Sequence, residues 1–231
     1  MLDLGANLQA VRERIRAAER AYGRPEGSVR LLAVSKTQPA GVLRAAYGLG
    51  QREFGENYLQ EAVEKQEALA DLDILWHFTG PIQSNKTRPI AERFAWVHGV
   101  DRLKIAQRLS DQRPEAMAPL NVCIQVNIGR ESTKAGVAPA SLAGLAHAVA
   151  ALPRLRLRGL MAIPAPTADL REQRAAFRRM RELLDGLDMP ELDTLSMGMS
   201  DDLEAAVAEG ATLVRIGAAI FGRRPRAKAR A

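Results

Sequence analysis

Lys36 follows the apolar run Leu31-Leu32-Ala33-Val34 and sits between Ser35 and Thr37. A strand of that composition delivers its next side chain to the end of a sheet. A lysine amine held there can attack a carbonyl, and a partly desolvated setting favours its neutral, nucleophilic form. The chain has six lysines against 27 arginines, and the other five lysines fall in helices, loops or the tail. An ordinary solvated lysine at a strand end is the bland alternative, and position alone does not choose between them.

A second feature lies near the end of the chain. Ser196-Met197-Gly198-Met199-Ser200-Asp201-Asp202 reads as a strand, a turn of small residues and a helix start. Ser200 offers a hydroxyl, and backbone N–H groups at a helix start favour an anion. Val214-Arg215-Ile216-Gly217-Ala218 follows, with Gly217 permitting close backbone approach. Together the two glycine turns read as a phosphate cup, while Ser200, Asp201 and Asp202 also suit a simple helix cap. Strand alternation puts Leu213 and Arg215 on one face and Val214 and Ile216 on the other. An inward Arg215 meets either a ligand or a carboxylate.

Other polar groups close the middle strands: Glu56 and Asn57, then His77 and Thr79, with Met161 further on. The three histidines (His77, His98, His147) have no metal-ligand spacing, so no metal site is expected. No nucleophile-elbow or Walker-type loop is present.

Such groups need elements that bring them together. Eight short apolar runs are expected as strands: Val29–Ser35, Glu53–Gly55, Leu75–Gly80, Trp96–Val100, Val122–Ile128, Leu157–Ile163, Thr194–Met197 and Leu213–Ile216. An amphipathic segment follows each, and an extra helix over Leu4–Ala21 precedes them all. Alternating strands and helices imply parallel pairing. Eight units in this length predict a single (β/α)8 barrel, a TIM barrel, rather than an open doubly wound sheet. The glycine-rich fingerprint of a dinucleotide site is missing after the first strand. In a barrel, function gathers at the carboxyl ends of the strands, which is where these groups fall.

The chain of 231 residues is 47% hydrophobic and 26% charged, an ordinary globular balance. A lone cysteine, Cys123, excludes an internal disulfide framework. No stretch approaches the ~20 apolar residues of a membrane span, and the charged first helix is no signal peptide, so a cytoplasmic location is expected. The unaided reading is a barrel with a Schiff-base lysine facing a phosphate cup. Pyridoxal phosphate fits both features, and so does a phosphosugar aldolase substrate.

Six ordered blocks carry a resemblance. They are Leu32–Thr37, Phe54–Tyr58, His77–Gly80 with Gln83–Lys86, Gly159–Pro164, Ser196–Asp202 and Arg215–Gly222. In this the chain resembles the pyridoxal-phosphate homeostasis protein family, whose fold is like the N-terminal domain of alanine racemase. The resemblance implies that Lys36 holds pyridoxal 5'-phosphate (PLP) as a Schiff base. It also implies that Ser200, with the backbone at Met199 and Gly217, holds the phosphate, and that Arg215 faces the pyridine nitrogen. Asn57, His77 and Met161 would line the cofactor. A cation at the pyridine nitrogen opposes its protonation and makes the ring a poorer electron sink. That favours holding PLP for vitamin B6 homeostasis over catalysis. A weak racemase and a Schiff-base aldolase stay as alternatives. No racemase-like second domain is expected, so a monomer is, and PLP-dependent apo-enzymes are the candidate partners. Ala218 stands where the family commonly has Thr or Ser, and Thr79 where Ile is common. Lys134 reads either as a second transfer site or as a solvated loop lysine.

Residues 1–222 are expected as the PLP-binding domain and 223–231 as a mobile basic tail. The tail holds five of the six net positive charges, so the body is close to neutral. A nucleic-acid partner, suggested only by that charge, is not expected.

Overall fold

Asp3 starts the first helix by accepting the Ala6 N–H at 2.9 Å, which satisfies a donor the first turn cannot. The computed structural model describes residues 3–129 and 135–222. Helix α1 (Leu4–Ala21) buries Leu8, Val11, Ile15 and Ala18, which recur at helical spacing.

Eight strands follow: β1 (Arg30–Val34), β2 (Glu53–Glu56), β3 (Leu75–Phe78), β4 (Trp96–Val100), β5 (Leu120–Gln125), β6 (Leu155–Met161), β7 (Thr194–Ser196) and β8 (Leu213–Ile216). Each pairs in parallel with the next, and β8 closes on β1 with Ala33 opposite Ile216. Between and after them run α2 (Ala40–Gly48), α3 (Leu59–Ala68), α4 (Thr87–Arg93), α5 (Leu103–Gln112), α6 (Leu142–Ala150), α7 (Leu170–Asp185), α8 (Leu203–Ala208) and α9 (Ala218–Phe221). Single 3-10 turns, Ser84–Lys86 and Pro139–Ser141, lead into α4 and α6. The architecture is the expected closed barrel, and α1 packs on α8 and α9 beside the β8–β1 seam.

Two strands start earlier than the apolar pattern predicts. Strands β5 and β6 begin at Leu120 and Leu155 rather than Val122 and Leu157. Polar residues interrupt the pattern there, but their needs are met. Asn121 donates to the Ala95 carbonyl at 3.1 Å and accepts from Arg158 at 2.9 Å, so it stays in the ladder.

A bulge in β6 decides which side chains enter the barrel. Val122 pairs with Leu157, but Cys123 pairs with Gly159, leaving Arg158 as the extra residue. Gly159 has φ +152°, and a Cβ there would lie 1.9 Å from the Thr194 carbonyl oxygen. The bulge resets the alternation, so Arg158 stacks on Trp96 and Met161 also packs with Trp96 and Cys123 inside the barrel.

The main apolar core lies between the barrel wall and the helices. Phe54, Phe78, Val97, Ile124 and Val214 pack there with Leu43, Ile90, Ile105, Phe177 and Val207. Each such large side chain contributes roughly 1.5–3 kcal/mol by leaving water. The barrel interior is unusually polar for this fold, whose centre is ordinarily filled by branched aliphatic side chains. His77, His98, Ser196 and Arg215 are all buried in it.

Candidate functional site

A cavity of about 290 Å³ opens at the carboxyl ends of the strands. Lys36, Asn57, Met199, Ser200, Arg215 and Gly217 all line it, drawn from the ends of β1, β2, β7 and β8. Thr79, Asp201 and Ala218 complete its polar and small-residue wall. Volume and mixed lining suit a small ligand.

Lys36 is held by its neighbours in sequence. Thr37, directly after it, sits at φ +67°, a left-handed conformation that costs a non-glycine residue roughly 1–2 kcal/mol. The Glu61 carboxylate accepts the Thr37 N–H and fixes that conformation. Before Lys36, the Ser35 hydroxyl donates to Glu56 at 2.6 Å, and its carbonyl accepts from the Lys65 amine at 2.8 Å. Lys65 also reaches Glu56 at 2.8 Å and Glu61 at 2.6 Å. This latch is buried between the ends of β1 and β2 and helix α3. Burial pushes the Glu56 carboxyl above its ordinary value, against the pull of Lys65 and Ser35. The Glu61–Lys65 spacing of four is the one sign of this latch in the sequence.

Asn57 takes its orientation from a hydroxyl. Thr79 Oγ1 lies 3.0 Å from Asn57 Oδ1 and donates to it. Thr79 thus has a structural task. The turn behind Asn57 is tight: a Cβ on Gly80 would lie 2.2 Å from the Asn57 carbonyl oxygen.

The expected phosphate cup has the Ser200 hydroxyl, which accepts the Ala219 N–H at 3.3 Å, and Gly217 at the start of α9. Gly198 makes the turn at φ +93°. The Met199 N–H is engaged within the turn by Asp202 Oδ1 at 2.6 Å. Burial raises the Asp202 carboxyl, and the Met199 N–H opposes that rise. Asp202 occupies the N-cap position of α8, yet its side chain bonds back to Met199 instead of capping the helix. Helix α1 braces the same turn: Arg14 donates to the Ser200 carbonyl at 3.1 Å and to Glu204 at 2.8 Å. Nothing in the spacing of α1 had pointed to that contact.

Arg215 points inward, as alternation requires, and is 5% exposed. Its partners are the Ser196 carbonyl at 2.5 Å, the Ser196 hydroxyl at 2.9 Å and the Ala162 carbonyl at 2.8 Å. It meets no carboxylate among these partners, which answers one alternative left open by the sequence. These three bonds do not exhaust the five N–H donors of a guanidinium, and the residue lines the cavity. Burial draws Arg215 down to about 10, so it stays a cation at neutral pH.

His77 and Met161 do not line the cavity. They lie inside the barrel, His77 stacked on Trp96 with ring centroids 5.4 Å apart and Met161 against Trp96 and Cys123. Lys134 and the basic tail lie outside the described residues. Among the described residues no cluster of metal-ligating side chains occurs, and no helix is long and apolar enough to cross a membrane.

The sequence matches the family model for the alanine racemase N-terminal domain over residues 6–225. It is 64% identical to the pyridoxal phosphate homeostasis protein of Pseudomonas aeruginosa, covering 97% of each chain. It is 53% identical to that of Escherichia coli, covering 99% of this chain and all of the other. The structure of PipY from Synechococcus elongatus with PLP bound superposes with a TM-score of 0.84 at 39% identity, over 95% of this chain and all of that one. Alanine racemase from Corynebacterium glutamicum shares the fold at 21% identity and a TM-score of 0.68, over 96% of this chain and 63% of that one. The chain therefore belongs to the pyridoxal phosphate homeostasis proteins, a branch of the alanine racemase N-terminal domain family.

Proposed function

We propose that the cavity holds PLP through a covalent bond to Lys36, and that the protein stores or passes on this cofactor in vitamin B6 homeostasis. One observation carries the reading: a single cavity joins a lysine amine, a small-residue anion turn and an inward guanidinium. The donor set fits the group. The Lys36 amine condenses with the aldehyde carbon, forming C=N while the aldehyde oxygen leaves with two protons as water. Ser200 and the backbone around Gly217 receive the phosphate, at the start of α9. With Met199 N–H spoken for by Asp202, the Ser200 hydroxyl and the Gly217 side carry most of that contact. Ala218 supplies no hydroxyl there.

Arg215 argues for holding over turnover. When bound, PLP supplies an electrophilic carbonyl and an electron-withdrawing ring. A guanidinium aimed at the ring nitrogen keeps that nitrogen unprotonated and weakens the electron sink. Asn57, oriented by Thr79, borders the ring. PLP-dependent apo-enzymes are the proposed recipients, and the protein acts as a monomer in the cytoplasm.

Titration with PLP tests the reading. The loaded protein is expected to be yellow, and Lys36→Ala is expected to abolish the colour while remaining folded. Wild-type protein that is colourless after incubation with excess PLP and removal of the unbound cofactor contradicts it. Turnover of an amino acid or phosphosugar, lost in Lys36→Ala, favours the enzymatic alternatives instead.

A further inference from the structure

Beneath the cavity a chain of polar side chains crosses the barrel from one end to the other. Arg215 Nη1 lies 2.9 Å from Ser196 Oγ. Ser196 Oγ lies 2.8 Å from His98 Nδ1, and His98 Nε2 lies 3.0 Å from His77 Nδ1. His77 Nε2 faces Glu53 Oε2 at 3.3 Å, an approach between two buried atoms that have no hydrogen-bond partner. The five residues come from β8, β7, β4, β3 and β2. His77, His98 and Ser196 are fully buried, whereas Glu53, at the start of β2, retains 20% exposure.

The ends of this chain dictate its middle. A guanidinium only donates and a carboxylate only accepts. With His77 carrying its hydrogen on Nε2, toward Glu53, its Nδ1 must accept from His98 Nε2. His98 Nδ1 must then accept from the Ser196 hydroxyl, whose oxygen accepts from Arg215. Each of the three hydrogen bonds then holds one hydrogen, all pointing the same way, from Arg215 toward His77, whose Nε2–H faces Glu53. The opposite order sets a bare His77 nitrogen against the Glu53 carboxylate, lone pair against lone pair. His77 and Arg30, which approaches Glu53 at 3.8 Å, hold that carboxyl below its ordinary range against its burial. Burial lowers both histidines, His98 strongly, with His77, Arg215 and Arg30 adding to the effect on His98. Neutral rings are what a one-way chain needs. Two more charged groups lie near the chain: Arg158, engaged by Asp193 at 2.5 Å, and Asp202, which acts on Arg215 through space.

We propose that Ser196, His98, His77 and Glu53 are positioning residues for Arg215, a one-way donor chain that holds the guanidinium toward the cavity. Arg215 is otherwise held by two carbonyls, while the Asp202 carboxylate acts on it through space without a hydrogen bond. The chain stands on the geometry alone, while its effect on PLP rests on the role proposed for Arg215 above.

Nitrogen-detected NMR of the cofactor-free protein reads the chain directly. Both His77 and His98 are expected to be neutral near pH 7, with hydrogen on Nε2. A hydrogen on Nδ1 of either ring, or a doubly protonated ring, overturns the proposal. A second arm uses PLP-loaded protein. His98→Leu breaks the chain, whereas His98→Gln keeps one donor and one acceptor. His98→Leu is expected to weaken PLP binding about tenfold and shift its visible absorption band, as loss of a buried network link does. His98→Gln is expected to restore most of both. Two variants that both match wild type in affinity and spectrum overturn the proposal. So does equal impairment of both with the fold intact. Should His98→Leu fail to fold, Ser196→Ala makes the same break with a smaller change in volume, and the same two readouts decide. Wild-type protein that binds no PLP defeats the proposed function, yet the NMR result still judges the chain.

Discussion

Replacing Lys65 by methionine tests how the latch around Lys36 works. Methionine keeps much of the aliphatic stem and removes the cation that contacts Glu56, Glu61 and the Ser35 carbonyl. The Lys65 and Glu56 side chains are 5% and 0% exposed, so no water replaces the lost partner. Glu56 would keep only the Ser35 hydroxyl. Breaking a buried pair from one side costs about 3–5 kcal/mol, a large share of the roughly 5–15 kcal/mol that holds a domain folded. Urea denaturation should show the midpoint fall by roughly 1–3 M, using the usual slope for small domains. The loss should also depend on pH. Burial already raises the Glu56 carboxyl, and without Lys65 that rise is larger. A carboxyl whose folded pKa exceeds its unfolded value binds more protons when folded. Its penalty is therefore full above the folded pKa and fades as pH falls toward the unfolded value near ~4.3. The variant should lose less stability at about pH 5.5 than at about pH 8. The double variant Lys65→Met/Glu56→Leu should recover most of the loss, because an apolar pair needs no compensation. A loss under about 1 kcal/mol, unchanged across that pH range, would refute the reasoning.

Three further outcomes follow from the site. Gly198→Ala should cost about 2 kcal/mol or more in thermal or urea denaturation, because φ is +93° and the new Cβ would lie 2.5 Å from Ala206 Cβ. Arg14→Ala should change stability by under about 1 kcal/mol, since its pair with Glu204 is partly exposed, yet calorimetric titration should show weaker PLP binding once the Ser200 carbonyl loses its brace. Burial pushes the Cys123 thiol up to about 12, so a thiol reagent near pH 8 should react only after denaturant is added.

The barrel was legible because its strands are apolar runs set off by glycine, proline and asparagine turns, and its helices carry helical spacing. Even β2, only four residues long with a glutamate at each end, pairs along both edges. Lys36, Ser200, Gly217 and Arg215 were legible for a related reason: a barrel strand delivers its last residues to one mouth. His77 and Met161 were harder to place. Strand alternation says which side faces inward but not how deep the cavity reaches, and the Gly159 bulge resets that alternation for Met161. The Lys65 latch and the Arg14 brace join residues 30 and 186 positions apart, so only tertiary packing creates them. The same holds for the histidine chain, whose members sit on separate strands.

The covalent role of Lys36 is the central claim, and mass spectrometry after reduction with borohydride tests it most directly. Protein incubated with PLP, reduced and digested should carry one pyridoxyl phosphate adduct on the peptide containing Lys36, and none in Lys36→Ala. An adduct on another lysine with Lys36 unmodified, or no adduct on folded protein, would contradict it.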